Sequence, residues 1–558
     1  MTLALRHRRV GWLLLAFAVL LAAGLVRALQ LTTIDSSHLA SVAATEHTST
    51  FTVPAARGEI LDRNGDILAV DEAADDVSAT PQLIHDPVAA AARLSPLLHS
   101  PRGAIVYQLE HATSPQYVLL ARQVPQARAQ RVLKLGIPGI ALTADPRRVY
   151  PGDGLAAQVL GGVGTSGDGL GGIEYEYNTR LQGVPGVHHV VFDAKGQPIS
   201  CQCTTPTPGA TVRLTIDDAL QQEVEHVLDQ TAGRFRPKDA TAIVIDPTDN
   251  RVLAMANWPR ANANDPASVG TAKNYAISLN YEPGSTFKVV AIGGALAEGL
   301  VSPSTRFTVP YSIRVADRTI HDDEYHATEP LTTGQILAYS SNVGAIKIGE
   351  RLLASSPAGT NAMYAWMVRY GFGVPTGIDL PGEEQGILLP PAQWSGSSIG
   401  NLPIGQGVSV TPMQMATAYA AIANGGLLRT PRIVASVGGV PVPEPQAKRI
   451  FSQAVSAHLR QMLEKVLLPG GTASEIVIPG YELAGKTGTA NKVVNGTYSN
   501  KKYVASFVGF APAGHPKIEA IVVVDAPSTG YYYGTEVAAP AWKQIMNFAL
   551  PYFGISRH

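Results

Sequence analysis

Residues 282–300 read EPGSTFKVVAIGGALAEGL. Glu282-Pro283-Gly284 is a breaker cluster, and Val289, Ile292, Leu296 and Leu300 follow it at helical spacing. The pattern predicts a helix that starts at Ser285 and buries one face. Ser285 and Lys288 are three apart, so one helical turn brings their side chains together. A serine hydroxyl barely ionises at neutral pH, so a nucleophilic serine needs a base in hydrogen-bond reach. A lysine serves only once deprotonated, which desolvation or a second cation promotes. A serine at a helix start also has a free backbone N–H to offer an oxyanion. Alone, this tetrad reads better as a helix-cap serine beside a solvated lysine, and Ser499…Lys502 repeats the Ser-x-x-Lys spacing.

Two further strings follow in order. Ser340-Ser341-Asn342 stands before an apolar helical stretch, residues 343–353. The Ser340 hydroxyl can pass a proton to a leaving amine and Asn342 can hold a substrate amide, although the same residues also make an ordinary helix cap. Ser278-Leu279-Asn280 is a second copy of that spacing. Lys486-Thr487-Gly488-Thr489 falls in a strand candidate, residues 483–490. On an edge strand, glycine permits close backbone approach and an extended peptide can add as a further strand. Lys486 then supplies the second cation near Lys288, and Thr487 and Thr489 bind a carboxylate beside it. The alternative is a strand with a β-bulge. The order of the three strings makes serine acyl transfer the reading they share.

Around these strings the chain alternates strands and helices. A strand over residues 211–216 leads to a helix capped by Asp217, with Leu220, Val224, Val227 and Leu228 on its apolar face. Residues 242–245 and 251–256 flank a turn and form a hairpin. Thr411-Pro412-Met413-Gln414 is a capping box, and Asn424-Gly425-Gly426 ends its helix. Strand candidates at 483–490, 504–510 and 518–524 and a helix at 538–548 close the sequence. Strands at both ends with helices between fit one sheet whose first and last parts meet.

Residues 32 to about 205 are Gly- and Pro-rich with short β-like runs, and offer no paired nucleophile and base. Residues 57–69 read as two short strands around Asn64-Gly65. Residues 201–209, CQCTTPTPG, read as a linker. Cys201 and Cys203 are the only cysteines. A disulfide across one residue is strained and two thiols fall short of a zinc site, so the pair is expected to sit on an exposed hairpin without chemistry.

The chain has 558 residues, 45% hydrophobic and 16% charged, with a net charge of −1. That length predicts two or more domains, and the absence of a basic run beyond the N-terminus excludes nucleic acid as a partner. Arg6-His7-Arg8-Arg9 precedes an apolar run, residues 10–31. It reads as an uncleaved transmembrane anchor with its basic flank in the cytoplasm; a signal peptide cut near Ala22-Ala23-Gly24 is the rival.

With these strings on view, the chain resembles a monofunctional class B penicillin-binding protein, a peptidoglycan D,D-transpeptidase. Arg57-Gly58…Asp62-Arg63-Asn64-Gly65, Gly172-Ile173-Glu174-Tyr175, Gly405-Gln406-Gly407, Phe507-Val508-Gly509-Phe510 and Ala538-Ala539-Pro540 support the likeness. The resemblance implies a cytoplasmic tail (1–9), one N-terminal transmembrane helix (10–31), a mostly β or α+β pedestal (32–205) and an α/β transpeptidase domain (206–558) with a central antiparallel sheet flanked by helices. It implies Ser285 as acylated nucleophile, Lys288 as its base, Ser340 and Asn342 as second motif, and Lys486, Thr487 and Gly488 as third, with the Thr489 N–H completing the oxyanion hole. Its expected partners are D-Ala-D-Ala stem peptides, β-lactams, the plasma (inner) membrane and a membrane glycosyltransferase of the division machinery, with no cofactor and the catalytic domain outside. Neither a preceding glycosyltransferase domain nor a Glu-x-x-Leu-Asn string is seen. Glu282 before Pro283-Gly284 resembles the septal type more than the elongation type. A β-lactamase, a β-lactam sensor and a scaffold are the rival functions. The string from His321 to His326 matches no standard zinc spacing, and is expected to be solvated or to line a cleft rim.

Overall fold

The computed structural model describes residues 2–36, 48–192, 198–356 and 361–557. The chain forms two compact units that interleave in sequence. One draws on Met1–Ala56, Ala73–Pro146 and Gly183–Gly209, the other on Arg57–Glu72, Arg147–Gln182 and Ala210–His558.

In the first unit, Val10–Ile34 is helical, has a mean hydropathy of 2.3 and is wholly unburied. Among the described residues it is the one helix long and apolar enough to cross a bilayer. An antiparallel sheet of Val118–Pro125, Ala74–Ala79 and Ile140–Ala144 carries helices Pro87–Leu98, Arg102–Glu110 and Gln126–Leu133. Val77, Leu94, Ile105, Leu120 and Val132 form the core between them. These helices escape local sequence reading because they are short and alanine-rich or polar.

A second sheet pairs Thr48–Val53, Gly186–Phe192 and Pro198–Cys203. It corrects the reading of the cysteine stretch as linker: Cys201 lies opposite Val190, Cys203 opposite His188, and the two sulfurs are bonded to each other. Residues two apart on a strand project from the same face, which brings the thiols together. His188 has its donor atom within 4.8 Å of theirs, but both sulfurs are spent in the disulfide.

The second unit contains a six-stranded sheet that joins distant parts of the chain. Val212–Leu214 pairs in parallel with Ile60–Leu61, which continues through the predicted hairpin into Ile67–Glu72. Its main sheet is built from β1 (Asp239–Asp246), β2 (Arg251–Trp258), β3 (Ala484–Val494), β4 (Thr497–Ala511) and β5 (Ile518–Asp525). All pairings are antiparallel and the order is β2-β1-β5-β4-β3, so the first and last strands of this sheet in chain order meet at β1–β5 and β3 is an edge. Alternation along β5 splits its side chains between two cores. Ala520, Val522 and Val524 face one that includes Leu220, Val224, Trp542 and Met546. Ile521 and Val523 face the other, together with the helices that carry the site.

Three of those helices are Lys288–Ala297, Asn342–Ala354 and Pro412–Ala423, here α1, α2 and α3; helix α4, Gly534–Tyr552, closes the chain. Every residue of α3 is buried, and the predicted Thr411–Gln414 capping box is present at its start. A helix apolar all round belongs in an interior.

Candidate active site

Ser285 lies half-buried in a 3-10 turn, Gly284–Phe287, that runs directly into α1. Gly284 has φ +56°, and a Cβ there would lie 2.9 Å from the Thr489 carbonyl oxygen, so the turn requires glycine twice over. The turn is also held from beneath: the Thr286 hydroxyl donates to Pro283 O at 2.8 Å and the Tyr419 hydroxyl, from α3, donates to Thr286 O at 2.8 Å. Glu282 accepts from the Gly407 N–H at 3.0 Å and from the Tyr498 hydroxyl at 3.1 Å.

Lys288 is fully buried. Its Nζ donates to Ser340 O, to Ser340 Oγ at 3.1 Å and to Asn342 Oδ1 at 2.8 Å. Among the described residues no carboxylate is in salt-bridge contact with it. Burial lowers its pKa to about 8, against an opposing pull from Asp323 and Asp322.

The second string owes its shape to the backbone. Helix Thr333–Ala338 ends with Tyr339 at the C-cap and Ser340 in the left-handed region at φ +60°. The Ser340 N–H donates to Leu337 O and the Ser341 N–H to Ile336 O, the bond pair of a Schellman motif. An L-residue at that position costs about 1–2 kcal/mol, and it turns Ser340 toward Lys288. The N-cap of α2 is Ser341, which accepts from the Gly344 N–H at 2.9 Å. Asn342 opens the helix, and its Nδ2 donates to His321 O at 3.1 Å.

The third string occupies the edge strand β3. Lys486 is fully buried and donates to Thr487 Oγ1 at 3.2 Å and Thr487 O at 3.3 Å. Burial and the nearby Lys288 cation hold it well below its ordinary value. A Cβ on Gly488 would stand 2.3 Å from Ser506 Oγ and 2.8 Å from Pro283 O. The third string is therefore in backbone contact with the first. Thr489 Oγ1 accepts from the Gly534 N–H at 3.0 Å, which ties β3 to the start of α4.

The structure thus brings Lys288, Ser340 and Asn342 into direct contact and lays Gly488 and Thr489 against the Ser285 turn. The second copies go elsewhere. Ser499 Oγ accepts from the backbone N–H groups of Lys501 and Lys502 within β4, and the Ser278 hydroxyl donates to Asn274 O. Sequence reading missed Tyr419, Ser341 and the aromatic group beside Gly534, where Tyr532 stacks on Tyr503 at 4.3 Å and contacts Tyr533 at 4.5 Å. The run Tyr531-Tyr532-Tyr533 was the available signal for the last.

Residues 240–547 match the penicillin binding protein transpeptidase domain and residues 52–214 the penicillin-binding protein dimerisation domain. The chain is 31% identical to a probable peptidoglycan D,D-transpeptidase PenA of Neisseria meningitidis, over 98% of this chain and 93% of the relative. It is 33% identical to the peptidoglycan D,D-transpeptidase FtsI of Escherichia coli, over 89% and 78% respectively. A crystal structure of penicillin binding protein 3 from Mycobacterium tuberculosis, complexed with aztreonam, superposes with a TM-score of 0.71 at 29% identity, covering 91% of this chain and 98% of that one.

Proposed function

This chain belongs to the class B penicillin-binding proteins, the peptidoglycan D,D-transpeptidases, and from that premise we propose that it crosslinks stem peptides through an ester on Ser285. The observation that carries the reading is a fully buried Lys288 held by Ser340 and Asn342 with, among the described residues, no carboxylate in contact.

Neutral Lys288 takes the proton from Ser285 Oγ as it attacks the carbonyl of the penultimate residue in a D-Ala-D-Ala terminus. The Ser285 and Thr489 backbone N–H groups receive the oxyanion. When the carbon–nitrogen bond breaks, the terminal D-Ala amine leaves with a proton passed from Lys288 through the Ser340 hydroxyl. Lys486, Thr487 and Thr489 hold the carboxylate of the donor peptide, Gly488 lets it lie along β3, and Asn342 holds its amide. An acceptor amine then attacks the ester and returns the serine. A β-lactam presents a similar carbonyl and carboxylate, so it acylates the same serine; with no carboxylate in a recognisable deacylating motif, the ester is expected to be long-lived.

The apolar helix Val10–Ile34 anchors the chain with its basic flank inside and the catalytic unit outside. A septal role, beside a division glycosyltransferase, draws on two relatives, FtsI and the stage V sporulation protein D of Bacillus subtilis, and on Glu282.

Labelling the full-length protein with a fluorescent penicillin and mapping the adduct by mass spectrometry tests the assignment. The label is expected on Ser285 and lost in Ser285→Ala; label on Ser499 would overturn it. Imaging a tagged copy tests the septal role, with midcell accumulation expected and a sidewall distribution against it.

A further inference from the structure

The string His321-Asp322-Asp323-Glu324-Tyr325-His326 matches no zinc spacing and reads in sequence as a solvated loop or a cleft rim. In the fold its central carboxylate is used differently. Asp322 is only 6% exposed. Its Oδ1 accepts from the Val343 N–H at 2.9 Å, and its Oδ2 accepts from the Ser341 hydroxyl at 2.8 Å and from His326 Nε2 at 3.0 Å. The Asp322 N–H donates to Tyr311 O at 2.9 Å, which fixes the segment itself. One residue earlier, His321 O receives the Asn342 amide.

We infer that Asp322 is a positioning residue for acylation, clamping the first turn of α2 so that Ser340 and Asn342 meet Lys288. This rests on the transpeptidase reading of the site. The carboxylate meets the positive end of a helix and takes one N–H that has no partner within it. It also orients the Ser341 hydroxyl, which donates to Asp322 while accepting from the Gly344 N–H. Ser341 is therefore fixed on both sides. That matters because Ser340, immediately before it, sits in a backbone region that a serine leaves when nothing holds it. Release of Ser341 and Val343 frees Ser340 to relax, and its hydroxyl and carbonyl both leave Lys288.

The clamp has support of its own. Both ring nitrogens of His326 face oxygen acceptors, Nδ1 the Ala327 carbonyl at 2.8 Å and Nε2 Asp322. Only the imidazolium satisfies both. Its pKa is correspondingly raised, by the Ala327 carbonyl first and by Asp322 and Glu329 after it. The Tyr311 ring lies edge-on to His326 at 6.2 Å and stacks on His321 at 5.5 Å, closing the loop around the carboxylate.

The test is the rate of acylation of the detergent-solubilised full-length protein by a fluorescent penicillin, followed across a pH series and expressed per reactive site from the labelling amplitude. The charged groups that act on Lys288 are Asp323 and Asp322, which favour its cation, and Lys486, which opposes it; the His326 cation faces Asp322 and offsets part of its charge. Asp322→Asn is expected to lower the plateau rate by about tenfold or more. It should also move the acidic limb to lower pH, because one carboxylate that favours protonated Lys288 is gone. Ser341→Ala keeps the charge, so it should lower the plateau by less and leave the limb in place. Misfolded protein lowers the amplitude and not the rate per site. A plateau within about twofold of wild type in Asp322→Asn overturns the inference, as does an unchanged plateau in Ser341→Ala. Wild-type protein without label on Ser285 refutes the transpeptidase reading itself, an outcome distinct from both.

Discussion

Two buried clusters of charged residues in the second unit are built on opposite terms. Around Glu174, Arg57 Nε meets Oε2 at 2.6 Å, Arg148 Nε meets Oε1 at 2.7 Å and the Tyr150 hydroxyl meets Oε1 at 3.0 Å. Asp71 takes Arg148 Nη1 at 3.1 Å and the Arg57 N–H at 2.7 Å, while Gly58 and Gly167 carbonyls take remaining guanidinium hydrogens. Around Lys288 and Lys486, equally buried, the partners are hydroxyls, carbonyls and one amide. Opposite charge held in good geometry gives a rigid joint. A cation buried without it is pushed toward its neutral form. The first cluster therefore supports the fold, and the second holds an amine ready to take a proton.

The largest effect that would break this contrast is chemical. Lys288→Ala should reduce penicillin acylation by about a thousandfold or more, with circular dichroism unchanged; wild-type labelling in that variant would assign the base elsewhere. Glu174→Ala should act the other way round. It takes from two buried guanidinium groups the carboxylate they share, leaving Arg148 with Asp71 and both with backbone carbonyls, and is expected to destabilise by about 3–5 kcal/mol, seen in chemical denaturation, with the acylation rate per folded molecule retained. Smaller still, Lys288→Met should be more stable than wild type by about 1–3 kcal/mol, because an apolar chain replaces a buried amine; equal destabilisation in the two clusters would erase the distinction between them.

The pH dependence sharpens the same point. Folded Lys288 has a pKa lowered from 10.5 to about 8. Acylation should fall as pH drops through that value, since the amine that accepts the serine proton becomes protonated. For stability the sign is also fixed. Between the folded and unfolded values the unfolded chain binds more protons, so the Lys288 contribution to stability rises with pH across that window and is at its least favourable below it. Denaturation of Lys288→Met against wild type at several pH values isolates this contribution. A wild-type deficit that stays constant with pH would show that the amine is not depressed.

Parts of the fold that follow from adjacent residues were legible in the sequence. The Asp217 and Thr411 caps, the hairpin of β1 and β2, the edge strand β3 and the helix behind Ser285 are each set by local spacing and turn chemistry. What escaped depends on partners far away. Val212–Leu214 joins Ile60–Leu61 across about 150 residues, and nothing local marks that pairing. Within the candidate site, the order of the three strings was readable, but their junctions were not. Serine has no preference for the left-handed region, so Ser340 gave no sign that it ends one helix while Ser341 starts the next. The cysteine stretch misled because its Pro and Thr residues suggest a linker, while its first three residues pair as a strand.

The contact of Gly284 and Gly488 with neighbouring backbone sets the spacing of the site without any rotamer. Side-chain packing can be rearranged in many ways at nearly equal energy, and a site spaced by side chains would drift with each core substitution. Here the gauge is the thickness of the peptide chain itself. Catalytic alignment is thereby insulated from neutral change in the surrounding core, and its sensitivity to mutation is gathered at a few positions where a single methyl group is too large.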